Sequence, residues 1–213
     1  MRKLLVVAGF VMFAIGGVLA QDVNHAQLRN EGNEALRENN YADALDLYEQ
    51  SLEAQPDDEE VDPVMVFNMA TCARRDNQFE KAFEYYSMAA DLGYRADFST
   101  YYIAASLNRL GREEEMEEVL LQALEDYETS SVAGHMRRLL TNYYLKKGAE
   151  PFNRASEILA TAENADPSEY DEIEARANEE FKKAKPWFEK VLEVDPNNSN
   201  AQASMQEINS RLE

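Results

Sequence analysis

Few residues in this chain belong to types that perform covalent chemistry at neutral pH. There is one cysteine, Cys72, and there are two histidines, His25 and His135. A nucleophile needs a base within reach and a group that stabilises developing charge. Neither histidine has a partner near it in sequence. Cys72 precedes Ala73 in a helix-periodic stretch, where a thiol serves as a small buried apolar group. No P-loop, Gly-rich dinucleotide turn or His-Glu-x-x-His sequence is present. A single cysteine excludes an intrachain disulfide and a Cys-rich zinc site, and two histidines exclude a His-rich metal site. Asp57, Asp58, Glu59, Glu60 and Asp62 crowd one segment, but without an Asp-x-Asp-x-Asp-Gly loop they read as a solvated acidic linker. The residues therefore predict no catalysis, no metal and no cofactor. An enzyme with an unrecognised site is the least favoured alternative.

The chain that must position these groups has 213 residues, with 41 acids against 21 Lys and Arg, for a net charge of −20. That balance opposes nucleic-acid binding, which needs a basic footprint, and disfavours an anionic membrane surface. Hydrophobic residues at 45% suffice for a core, while 8 Gly and 6 Pro are too few for a loop-rich all-β chain. Residues 1–20 follow the pattern of a secretory signal peptide. Arg2 and Lys3 precede an apolar run from Leu4 to Leu19, and Val18-Leu19-Ala20 ends in a cleavage-type triplet. An uncleaved anchor is the rival reading of this run. Removing residues 1–20 takes away Arg2 and Lys3 and no acid, which leaves −22. After cleavage no membrane segment is expected.

The remainder repeats. Gly32, Tyr41, Ala44, Tyr48, Ser51 and Pro56 are echoed by Ala70, Phe79, Ala82, Tyr86 and Ala89, and more loosely by Ala104, Gly111, Leu120 and Ala123. Apolar residues at three- and four-residue spacing, such as Ala44, Leu45, Tyr48 and Leu52, mark helices. These residues resemble the tetratricopeptide repeat, a helix–turn–helix unit of about 34 residues. Small residues stand where its two helices cross, and aromatics fill the space between pairs. The resemblance implies an all-α, right-handed superhelical array of antiparallel helix pairs. Three repeats are expected within residues 21–130, at 25–58, 63–96 and 97–130. The third departs from the pattern, with Glu113 in place of an aromatic and Met116 in place of Ala.

Residues 131–213 are expected to form an irregular helical hairpin and a capping helix. Phe152, Ala155, Leu159, Ala162 and Pro167 match the second half of a repeat. Phe181, Ala184, Phe188, Val191 and Pro196 match again only 29 residues later. Residues 169–194 then read as one long helix with Pro186 inside it. Residues 136–163 read either as a second long helix or as two helices broken at Gly148–Pro151. The closing stretch around Trp187 also resembles exported tetratricopeptide proteins of Bacteroidetes-type bacteria, which implies a periplasmic or envelope location in a Gram-negative cell.

In this family the first helix of each pair lines a concave groove. Carried over by position, the groove residues are Arg29, Asn33 and Arg37, then Phe67, Asn68, Thr71, Arg74 and Arg75, then Tyr101, Asn108 and Arg109. Five of the eight basic residues of the three repeats fall in this set. The resemblance implies a non-enzymatic scaffold whose groove takes a protein or peptide segment, and the arginines suit an acidic one. A self-associating component of an envelope assembly is the alternative. The same arginines also sit near helix C-termini, where cations favour the helix dipole.

Overall fold

The computed structural model describes residues 24–213, and all nine α-helices within them follow one another without a strand. The predicted leader at residues 1–20 lies outside the described residues. Helices α1 (His25–Arg37) and α2 (Tyr41–Glu53) pair, as do α3 (Pro63–Arg75) with α4 (Phe79–Asp91) and α5 (Ala96–Arg109) with α6 (Glu113–Asp126). The first two pairs begin where the sequence supplies caps. Asn24 accepts from the N–H groups of Ala26 and Gln27, and Asp62 does the same for Val64 and Met65 ahead of Pro63. Within each pair the first helix is ended by a left-handed residue: Asn39, Asn77 and Gly111, at φ 64°, 61° and 74°. Asn and Gly tolerate that region best, and the chain reverses tightly there.

Packing follows the residue sizes. Ala44, Ala70, Ala82, Ala89 and Ala104 are fully buried, and Tyr48 and Tyr86 are buried between them. A Cβ on Gly32 would lie 2.8 Å from two carbons of the Tyr48 ring, so the first pair approaches as closely as it does only because that residue has no side chain. Met116 is fully buried in spite of its size. Glu113, standing where an aromatic would pack, instead holds Lys146 at 2.6 Å and Lys147 at 3.2 Å on the next helix.

The C-terminal part is two long helices, α7 (Ala133–Ala160) and α8 (Tyr170–Val194), joined by two 3-10 turns, and then α9 (Ser199–Leu212), capped by Asn198. Each runs through a proline, Pro151 in α7 and Pro186 in α8. Phe152 and Ala155 therefore lie on the outer half of α7 and do not open the second helix of a separate pair. The Phe152 ring packs edge-on to Phe181 and Phe188 across the hairpin, at 5.4 and 5.8 Å. Close approach recurs at Gly148, where an added Cβ would meet the Phe188 ring and the Trp187 Cβ at 3.2 Å. Trp187 lies 6.2 and 6.1 Å from Tyr143 and Tyr144, with the Lys190 ammonium 5.0 Å from its ring. Glu117 of α6 accepts from both the Tyr144 hydroxyl and Lys190, which ties three helices through one carboxylate. Contacts are concentrated between helices adjacent in the chain, as in a repeat array. Among the described residues, no helix is long and apolar enough to cross a membrane.

Candidate functional site

Helices α3 and α5 bring Arg74, Arg75 and Arg109 to one cleft of about 310 Å³, whose wall also includes Asn77, Phe79 and Ser106. All three arginines stand in the last turns of their helices. Two are held by aromatic rings. The Arg74 guanidinium lies 4.6 Å from the Tyr102 centroid, and its Nε donates to the Tyr86 hydroxyl at 3.3 Å. The Arg109 guanidinium lies 4.7 Å from the Phe79 centroid. Ring contact fixes these planar groups without consuming their charge. Among the described residues, none of the three is ion-paired, although acids outnumber bases two to one in the chain. The cleft thus presents three guanidinium groups, two of them pre-oriented, whose charge no carboxylate among the described residues meets and whose free donors suit carboxylate oxygens.

The other predicted groove residues are placed differently. Arg29 reaches Asp62 at 3.4 Å, and Asn33 accepts from the Tyr48 hydroxyl at 2.8 Å with the Asn68 amide beside it. These three serve the joint between the first two pairs. Phe67 is buried edge-on to Tyr86 and Tyr94, at 5.4 and 5.5 Å. Thr71 donates to the Phe67 carbonyl and lies 3.2 Å from the Tyr86 hydroxyl. Arg37 and Asn108 are exposed and do not line the cleft. Tyr101 packs on Tyr102 and on His135 of α7, at 5.1 and 5.8 Å.

Tyr86, Tyr102 and Phe79 carry no functional signal in the sequence, because aromatics within and between helix pairs read as packing. Arg95 carries none either; its φ of 45° is unusual for a non-glycine residue, and its guanidinium lies 4.1 Å from Phe98 and 5.1 Å from Phe67. Burial pushes the Tyr86 hydroxyl upward in pKa while Thr71 and Arg74 draw it back, so it stays a neutral anchor for Arg74.

Catalytic chemistry finds little support. Cys72 is fully buried, and burial raises its thiol to about 11, the opposite of a reactive thiolate. His25 faces Glu59 at 3.2 Å, and the His135 ring nitrogen accepts from Arg138 at 3.2 Å. Among the described residues, no group of three or more His, Cys, Asp and Glu side chains is arranged to hold a metal ion.

Comparison with known proteins agrees with this architecture. The family described as tetratricopeptide repeat matches residues 175–198, the stretch that carries Phe181, Ala184, Phe188, Val191 and Pro196. Among solved structures, a tetratricopeptide-repeat protein from Bacteroides fragilis is 20% identical, over 87% of this chain and 98% of its own, with a TM-score of 0.53. The Sgt2 tetratricopeptide domain from Aspergillus fumigatus is 25% identical over 62% of this chain and 83% of its own, with a TM-score of 0.45. YrrB, described as a tetratricopeptide protein with an unusual peptide-binding site, is 14% identical over 88% of this chain and 94% of its own, with a TM-score of 0.43. No curated protein matches the sequence. The chain is an all-α, tetratricopeptide-type array of helix pairs, and the likeness to the Bacteroides structure is one of fold.

Proposed function

We propose that this tetratricopeptide-type array is a non-enzymatic scaffold that holds an acidic protein or peptide segment against Arg74, Arg75 and Arg109. The observation that carries the reading is a cleft of three arginines, in an acidic chain, that have no ion pair among the described residues. Leaving guanidinium groups without carboxylates, when carboxylates are abundant, favours a partner that supplies them. The aromatics around them offer apolar contact to the same segment. The leader pattern of residues 1–20 supports export, and we place the protein in the periplasm or envelope of a Gram-negative cell.

The test is fluorescence polarisation with a labelled Glu-rich peptide and a Lys-rich peptide of equal length. The Glu-rich peptide binds, and its affinity falls with salt. Arg74→Glu with Arg75→Glu lowers that affinity at least tenfold without changing the circular dichroism. Equal binding by the variant, or preference for the Lys-rich peptide, overturns the assignment.

A further inference from the structure

A second cleft, of about 360 Å³, lies where the first half of α7 meets the end of α8 and the start of α9. Its polar groups are Arg137, Arg138, Thr141 and Asn142 from α7, and Asp195 and Asn198 from the turn that joins α8 to α9.

Thr141 is the anomaly. It is 5% exposed, and its hydroxyl is buried with no hydrogen-bond partner among the described residues. Elsewhere in the array, helical Thr71, Thr100 and Ser106 donate to the carbonyl four residues back, at 2.9, 2.7 and 2.8 Å. Thr141 is in mid-helix, where the same bond is open to it, and does not make it. An orphaned buried hydroxyl is costly, and because Thr141 is one of the residues lining the cleft, a ligand seated there is placed to complete it.

Charge narrows that ligand. Neither Arg137 nor Arg138 is ion-paired among the described residues; Arg138 meets only the His135 ring nitrogen. Asp195 lines the same cleft yet pairs with neither of them; one of its oxygens accepts from the Asn198 amide at 3.1 Å. Opposite charges that share a cleft without neutralising each other suit the two ends of a dipolar molecule. A dianion would meet repulsion from Asp195, and a simple cation would meet it from the arginines.

We propose that this cleft binds a free α-amino acid. The carboxylate lies with Arg137, Arg138 and the Thr141 hydroxyl, and the ammonium with Asp195. The inference is independent of the peptide-binding reading, because it uses none of the residues of the first cleft.

The test is calorimetric titration of the chain with a panel of L-amino acids that differ in side-chain size and charge. Acetate, methylammonium and inorganic phosphate serve as single-charge controls. At least one amino acid binds saturably, and at least tenfold more tightly than acetate or phosphate. Thr141→Val keeps the side-chain shape and lowers that affinity severalfold. Asp195→Asn brings the amino acid and acetate to similar affinities, and Arg138→Gln, at an exposed position, weakens both. The Arg74→Glu, Arg75→Glu variant binds the amino acid as the unaltered protein does, which separates failure of this proposal from failure of the first. No saturable binding of any amino acid overturns the proposal. So does tighter binding of phosphate, or a Thr141→Val variant that melts higher and binds unchanged.

Discussion

At Gly32 the fit between the first two helices rests on one missing carbon. A methyl group there would stand 2.8 Å from the Tyr48 ring, and that ring is buried with its hydroxyl fixed on Asn33. The ring has little room to withdraw. Gly32→Ala is expected to cost about 1–3 kcal/mol in urea unfolding, even though alanine is the better helix former. Gly32 was legible in the sequence, since a small residue facing an aromatic at fixed spacing has one physical meaning in a helix pair. Arg29 and Asn33 were not. Their spacing placed them on the first helix of a pair, but Arg29 finds its partner at Asp62, a residue 33 positions away that no local pattern connects to it. Arg74 and Arg109 do reach a common cleft, yet the rings that orient them carry no functional signal: Phe79 stands where a repeat calls for an aromatic anyway, and Tyr102 reads as packing beside Tyr101.

Between elements, a departure from the repeat can be a substitution of one kind of contact for another. Glu113 stands where Tyr41 and Phe79 stand in the other pairs, and its absent ring reads as a weakness in sequence. In three dimensions it grips α7 through Lys146 and Lys147. The Lys146 ammonium, with Lys147 behind it, holds the Glu113 carboxyl below its ordinary value of 4.5. A depressed acid contributes stability that is present above its unfolded pKa and lost as pH falls through the folded one. Glu113→Gln is therefore expected to destabilise the protein at neutral pH. The gap between it and the unaltered chain should close as pH falls from about 5 to 3, followed by chemical denaturation at each pH. A gap that is constant over that range would show that Glu113 acts through shape and not charge.

Across the whole molecule, the hairpin of α7 and α8 is a repeat with an arm inserted in it. Gly32 meets Tyr48 sixteen residues later, whereas Gly148 meets Phe188 forty residues later, in the same glycine-on-aromatic contact. Of the extra 24 residues, 7 lengthen α7, 11 lengthen α8 and 6 lie in the turns that join them, which makes an arm of roughly 10–17 Å at 1.5 Å per residue. The 29-residue step from Phe152 to Phe181 falls short of a repeat because periodicity records neighbours along the chain, and two long helices can meet at any depth along their length. Deleting residues 157–180 restores the sixteen-residue spacing and leaves Arg154, Ala155 and Ser156 as a loop of the same length as Glu38–Asn40. The shortened chain is expected to stay folded and monodisperse with undiminished helicity per residue, measured by circular dichroism and light scattering. Loss of cooperative unfolding would mean that the arm is part of the core.

Trp187 is the only tryptophan of the chain, and it sits among Tyr143, Tyr144 and Lys190 at the base of that arm. Its emission is a local probe of one end of the stack. That emission is expected to change when α7 and α8 part and to hold steady while α1 frays, so set beside a signal averaged over every helix it separates events at the two ends.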